Sequence, residues 1–203
     1  MATNVETEIK LDVRNLPGLL RRLRKIGARD HGRIFEENTL YDTPNADFRR
    51  HGRLVRLRVE TSKSGRRDAK LTSKAPPVQE RTRHRARKSA PRHKQKLERE
   101  APVRDPARTA RLFEAIGLRP SFRYEKYRTS FRLPGLHLDL DETPVGTFLE
   151  LEGRPAAIDR TARALGYSAH DYIRGTYWDL YAADCRRRRQ KPTNMVFAHK
   201  NRP

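Results

Sequence analysis

The segment NVETEIKLDV, Asn4 to Val13, alternates with a period of two: Val5, Ile9 and Leu11 fall on one face, Glu6, Glu8 and Lys10 on the other. Six further segments repeat the pattern. In RLVRLRVET, Val55, Leu57 and Val59 alternate with Arg56, Arg58 and Glu60; in DAKLTSK, Lys70, Thr72 and Lys74 share a face. HKQKLERE puts Lys94, Lys96, Glu98 and Glu100 in register, and YEKYRTSFR aligns Lys126, Arg128 and Arg132. LHLDLDE sets Asp139 and Asp141 against Leu136, Leu138 and Leu140, and TFLELEG sets Glu150 and Glu152 against Leu149 and Leu151. With the less charged FEENTLYDT, Phe35 to Thr43, eight strands are expected. A sheet of such strands has one apolar face to cover and one charged face that a dry core does not tolerate.

Helices supply the cover. LPGLLRRLRKIGA carries Leu16, Leu19, Leu20, Leu23 and Ile26 at helical spacing and stops at Gly27. DPARTARLFEAIGLRP enters on Asp-Pro, carries Leu112, Phe113 and Ile116, and stops at Gly117. Two more helices are predicted around Ile158 to Leu165 and Tyr172 to Ala183. The first two end alike, in KIGAR and AIGLR; Thr39 and Thr129 follow at equal distances, and Tyr41 and Phe131 lie two residues further on. This reads as an internal repeat of strand, helix, strand, strand, strand.

The apolar stripes of the helices fit the apolar faces of the strands, so the charged faces point inward. The expected fold is α+β: a closed eight-stranded antiparallel barrel, its charged interior wide enough for side chains and one small ligand, with the helices packed outside. One domain spans 1–184, with a basic loop at about 76–93 inside it and a basic tail at 185–203.

A net charge of +21 points to polyanionic partners. Arg81 to Lys96 holds eight Arg or Lys and no acid, Arg186 to Lys191 holds five more, and both read as loop or tail. No stretch is apolar enough to span a bilayer, and MATNVETEIK lacks the apolar segment of a signal peptide. Cys185 is the single cysteine, so no internal disulfide forms; a cytoplasmic location with no membrane partner is the expectation. The seven histidines show no paired metal spacing, which argues against zinc.

The charged faces carry nine acids (Glu6, Glu8, Glu60, Glu98, Glu100, Asp139, Asp141, Glu150, Glu152) and ten bases (Lys10, Arg56, Arg58, Lys70, Lys74, Lys94, Lys96, Lys126, Arg128, Arg132). Ion pairs between strands account for such faces in a purely structural way. A site for a metal–polyphosphate complex accounts for them chemically, because carboxylate oxygens suit Mg²⁺ or Mn²⁺ and ammonium and guanidinium groups suit phosphate.

ETEIK, followed by LVRLR, KLTSKAP, YEKYR, LDETPVGTFLELEG and TYWDLY, resembles the CYTH superfamily, the triphosphate tunnel metalloenzymes, over about Val5 to Tyr181. That superfamily includes class IV adenylyl cyclases, thiamine triphosphatases and inorganic tripolyphosphatases. The resemblance implies metal ligands at Glu6, Glu8, Asp141, Glu150 and Glu152, with Asp139 on the same face. It implies triphosphate-gripping roles for Lys10, Arg56, Arg58, Lys74, Lys126 and Arg128, with Lys70 and Lys96 as additions, and catalytic weight on Lys10 and Arg58. Arg174 is a further candidate for reaching the phosphates. Thr176-Tyr177 stands where family members often show Ser-Tyr, and Tyr177 and Trp178 read as packing residues.

The implied activity is metal-dependent hydrolysis of a triphosphate, with Mg²⁺ or Mn²⁺ as cofactor and inorganic tripolyphosphate as the favoured substrate. The alternatives are cyclisation of ATP and hydrolysis of thiamine triphosphate; no aromatic cluster is evident in the sequence that would form an adenine pocket. A homodimer is a state known among the cyclases of the family. The rival from another class is a polyphosphate or nucleic-acid binding module built on the basic loop, but those segments lack interleaved aromatics for base stacking.

Overall fold

The computed structural model of the chain describes residues 4–77 and 92–198. Of the basic loop expected at about 76–93, residues 78–91 lie outside the described residues. The strands are β1 (Asn4–Asp12), β2 (Arg29–Asp42), β3 (Leu54–Ser62), β4 (Arg67–Ala75), β5 (Lys94–Val103), β6 (Arg119–Leu133), β7 (Leu136–Thr143) and β8 (Gly146–Gly153). The helices are α1 (Leu16–Lys25), α2 (Asp47–Arg50), α3 (Pro106–Ala115), α4 (Pro155–Ala164) and α5 (Tyr177–Arg187). All strand pairs are antiparallel, and they close a barrel in the order β1-β5-β4-β3-β2-β6-β7-β8. The expected architecture is the one observed.

The internal repeat is visible in the topology: β1-α1-β2-β3-β4 corresponds to β5-α3-β6-β7-β8. Corresponding strands pair with each other, β1 with β5 and β2 with β6. Ile26 and Ile116, or Thr39 and Thr129, set the offset between halves, and that offset carries Glu6 onto Lys96 and Glu36 onto Lys126. Those are also register partners across the two seams. A pseudo-two-fold axis therefore crosses the barrel through two positions where the first half has Glu and the second has Lys.

The core lies outside the barrel wall. Ile9, Leu11, Leu138, Leu140, Leu149 and Leu151 turn outward against Leu19 and Leu23 of α1 and Ile158 and Ala162 of α4, all nearly inaccessible. Each such Leu or Ile contributes about 1.5–3 kcal/mol by burial. Asn15 caps α1 by accepting from the Gly18 N–H at 2.9 Å. The β6–β7 hairpin turns over Pro134–Gly135, where proline presets φ and Gly135 supplies a φ of 70°.

Four features differ from expectation. β2 begins at Arg29 rather than Phe35, because it extends along β6 past a bulge between Asp30 and Arg33. A short α2 stands after β2, its free N–H groups at Phe48 and Arg49 capped by the buried Asp42 carboxylate. The last helix starts at Tyr177 rather than Tyr172, because Thr176 and Asp179 form a reciprocal capping box there. Just before it, Ile173 exchanges two backbone hydrogen bonds with Lys10, at 2.8 and 3.1 Å, continuing the ladder where β5 stops. Finally, the arginine run begins inside α5, and Arg187 and Arg188 pair with Asp184 at 2.8 and 2.9 Å. Among the described residues, no helix is long and apolar enough to cross a membrane.

Candidate active site

The barrel encloses a cavity of about 1260 Å³. The strand period aims the even-numbered residues of β1 to β6 and β8 into it, and the closure order sorts their charges. β3, β4 and β6 contribute a basic wall, with Glu36 of β2 set among its cations, and β1, β7 and β8 an acidic one, with lysines bridging them.

On the basic wall, Arg58 donates from Nε to Asn38 at 2.9 Å and lies 3.0 Å from Glu36. Arg56 donates to the Tyr124 hydroxyl at 3.3 Å and to Thr72 at 3.2 Å, while its buried Nε has no acceptor among the described residues. Lys126, 1% exposed, donates to Asp141 at 2.7 Å. Arg128 reaches Asp141 through two nitrogens at 2.7 Å each, Asp139 at 2.8 Å and Glu150 at 2.5 Å.

On the acidic wall, Lys10 lies 2.9 Å from Glu150 and 3.6 Å from Glu8. Lys94 pairs with Glu8 at 2.7 Å, and Lys74 with Glu6 at 2.5 Å and Glu98 at 3.3 Å. The carboxyls respond unequally. Burial pushes Glu6 up to about 7 against the pull of Lys74, and the charges of Glu8 and Glu98 add to it. Burial raises Glu152 as well, helped by Glu98, Glu8 and Asp139 against Lys74. Burial acts upward on Glu8 and Glu150 too; there Lys10 and Lys94 bring Glu8 down to about 2, and Lys10, Lys126 and Arg128 hold Glu150 well below the ordinary range. One end of the acidic wall is thus short of cations.

That imbalance, with hard oxygen donors on adjacent strands, fits a divalent cation. Glu8 stands opposite Glu152, and Asp139 opposite Glu150. Among the described residues, no three carboxylates already converge on one metal position, because lysines hold several of them.

Glu6, Glu8, Glu150, Glu152 and Asp139 all line the cavity, as do Lys10, Arg56, Arg58, Lys70, Lys74, Lys96, Lys126 and Arg128. Lys70 is at the rim, its side chain 42% exposed and paired with Glu60 at 3.3 Å. Lys96 donates to the Gly52 carbonyl at 3.0 Å. Asp141 is placed differently: fully buried behind the lining, it spends both oxygens on Lys126, Arg128 and Tyr177. Arg174 is exposed and off the cavity wall.

Two buried groups escaped sequence reasoning. Glu36 is wholly inaccessible and sits among Arg58, Lys126 and Arg128. Its neighbour Glu37 faces outward, so the pair FEEN masks the alternation. Tyr177 is a packing residue only in part: its hydroxyl donates to Asp141 at 2.6 Å, and Lys10 and Lys126 lie 5.2 and 5.0 Å from its ring centre. The cavity also has the aromatic wall that the sequence did not reveal, formed by Tyr41, Phe122, Tyr124, Tyr177 and Trp178. These residues come from three elements far apart in the chain.

The CYTH domain profile matches residues 4–177. A candidate adenylate cyclase from Vibrio parahaemolyticus superposes with a TM-score of 0.71 at 18% identity, covering 88% of this chain and 98% of its own. The PH1819 protein of Pyrococcus horikoshii OT3 gives 0.72 at 21% identity, covering 88% and 99%. A Hippeastrum protein described as an adenylyl cyclase candidate with a dominant triphosphatase activity gives 0.60 at 15% identity, covering 88% and 96%. No curated protein matches the chain. At these identities the superpositions speak for the fold, and the profile, matched over nearly the whole barrel, speaks for descent: the chain belongs to the CYTH family.

Proposed function

We propose that the chain hydrolyses a phosphoanhydride bond of a triphosphate, with inorganic tripolyphosphate as the favoured substrate and Mg²⁺ or Mn²⁺ as cofactor. The observation that carries this reading is the opposition of a carboxylate wall and a guanidinium–ammonium wall in one cavity, with a buried Arg56 Nε–H that has no acceptor among the described residues. A phosphate oxygen is a suitable acceptor for it.

Glu6, Glu8, Glu150 and Glu152 are the residues to hold the cation, with Asp139 on the same wall. When bound, it supplies Lewis acidity toward phosphate oxygens and water. Arg56, Arg58, Lys74 and Lys126 bind and orient the polyphosphate chain. Lys10, Arg58 and Arg128 neutralise charge that grows on the leaving phosphate, and they are preorganised for it by the carboxylates they already face. Asp141 acts from behind the wall, fixing Lys126 and Arg128.

The aromatic wall favours a second reading, in which the triphosphate carries an organic group: ATP cyclised to cyclic AMP, or thiamine triphosphate hydrolysed. One experiment separates these. The protein is incubated with Mg²⁺ or Mn²⁺ and tripolyphosphate, ATP or thiamine triphosphate, and both orthophosphate and cyclic AMP are quantified. Orthophosphate from tripolyphosphate without cyclic AMP is the expected result, reduced at least ~100-fold in folded Arg58→Ala. Cyclic AMP from ATP would replace the hydrolase reading; no turnover of any of the three would end both.

A further inference from the structure

The family profile ends at Tyr177, yet the chain beyond α5 is built into the barrel. β7 pairs with β6 only from Tyr127 onward, which leaves an open edge on the first half of β6. Residues 193–197 return along that edge. Met195 forms a parallel bridge with Tyr124, donating its N–H to Arg123 and accepting from Glu125, both at 2.9 Å. The Asn194 side chain accepts from the Arg123 N–H at 2.9 Å, and the Phe197 N–H donates to the buried Glu125 carboxylate at 2.9 Å.

The strap touches the barrel in two places of different character. Phe197 packs on the outside, against Phe35 and Tyr127, with ring centres 6.4 and 5.4 Å away. Met195, 1% exposed, enters the buried cluster of Phe122, Tyr124, Phe148 and Tyr177. Two of these rings carry hydroxyls into the site: Tyr124 accepts from Arg56, and Tyr177 donates to Asp141. The two rings stack at 5.7 Å, so a shift of one moves the other. An unfilled volume behind them gives both rings room to relax.

We infer that the strap is a positioning element of the triphosphate site, with Met195 seating Tyr124 and Tyr177 so that Arg56 and Asp141 are held where the phosphate chain docks. This rests on the triphosphate reading above, and Met195 itself touches no substrate. It assigns a role in the site to a segment that lies beyond the family-matched residues.

The test compares full-length Met195→Ala, Met195→Leu and Phe197→Ala. Tripolyphosphate affinity and KM are measured beside thermal stability, and the Tyr124 and Tyr177 ring resonances are followed in labelled protein. Met195→Ala is expected to weaken affinity and raise KM about tenfold, Met195→Leu to restore both, and Phe197→Ala to lower stability without changing either. Unchanged affinity in Met195→Ala overturns the inference. So does a loss that Met195→Ala and Phe197→Ala share in proportion to stability, since that marks a merely structural strap. If the wild-type protein binds no triphosphate, the functional reading fails by itself. The ring resonances then decide: displaced by Met195→Ala but not by Phe197→Ala, they uphold the positioning; unmoved, they overturn it.

Discussion

Glu36 shows how a single buried carboxylate organises the basic wall. It lies 3.0 Å from Arg58, 3.4 Å from Lys126 and 3.6 Å from Arg128, with no solvent access. Burial acts to raise its pKa, but Arg58, Lys126, Arg128 and Arg56 outweigh it and keep the group ionised far below the ordinary range. Without it, Arg58 loses its nearest carboxylate, and the basic wall keeps only the acids on its far side, Asp141, Asp139 and Glu150, to offset Lys126 and Arg128. Glu36→Ala is therefore expected to lower the unfolding free energy by about 3–5 kcal/mol in anion-free buffer, the scale of breaking a buried charge group. Added tripolyphosphate should recover part of that loss by supplying the missing negative charge. Denaturant titration checks both; a loss below about 1 kcal/mol, the surface-pair scale, would mean that water already screens this site. The residue illustrates what sequence could and could not reveal. Arg56, Arg58 and Glu150 were legible because each has apolar neighbours on both sides along its strand. Glu36 stands beside another glutamate, and Tyr177 and Met195 acquire their positions only from contacts made across the fold.

Between elements, the least conspicuous junction is the clasp at Asp159 on α4. Its carboxylate accepts from the Tyr172 hydroxyl at 2.9 Å and lies 2.8 Å from Nε2 of His93, just before β5. It ties the segment leading into α5 to the start of a cavity-lining strand. Burial first, then the hydrogen bond and charge of Asp159, push the Tyr172 phenol up to about 12. A folded-state pKa above the unfolded value of about 10 favours the folded protein below pH 10. That contribution is lost as pH rises from about 10 towards 12. Tyr172→Phe should thus be less stable at neutral pH but show a shallower alkaline decline, measured as unfolding free energy against pH; parallel curves would refute the coupling. At this scale the sequence was readable for strands and for α1, and ambiguous for the rest. KIGAR and AIGLR promised two similar helices, yet α1 buries Leu19 and Leu23 whereas α3 leaves Leu112 58% and Ile116 72% exposed. Helical period reports a stripe; whether the stripe is covered depends on neighbours, and α1 shares its face with α4.

For the whole molecule, inward-pointing charge could be argued from strand period alone, because only the apolar faces could meet the helices. The strand order could not, since period says nothing about which strands pair or in what register. Closure places the Glu6–Lys96 and Glu36–Lys126 partners on a pseudo-two-fold axis, so the interior is nearly balanced while the chain as a whole carries +21. The excess positive charge is therefore mostly external, and its effect on a triphosphate is exerted before binding. Screening lengths shrink from ~30 Å at 0.01 M salt to ~8 Å at 0.15 M, which removes long-range attraction but leaves ion pairs inside the barrel little changed. Accordingly, kcat/KM for tripolyphosphate should fall about tenfold or more across that range, while kcat stays nearly constant. Initial rates at fixed free metal ion and increasing sodium chloride test this. A kcat/KM that is flat with salt would detach the surface charge from substrate capture and assign it to a longer polyanion, polyphosphate or nucleic acid. A kcat that falls in parallel would instead place the salt-sensitive charges within the site itself.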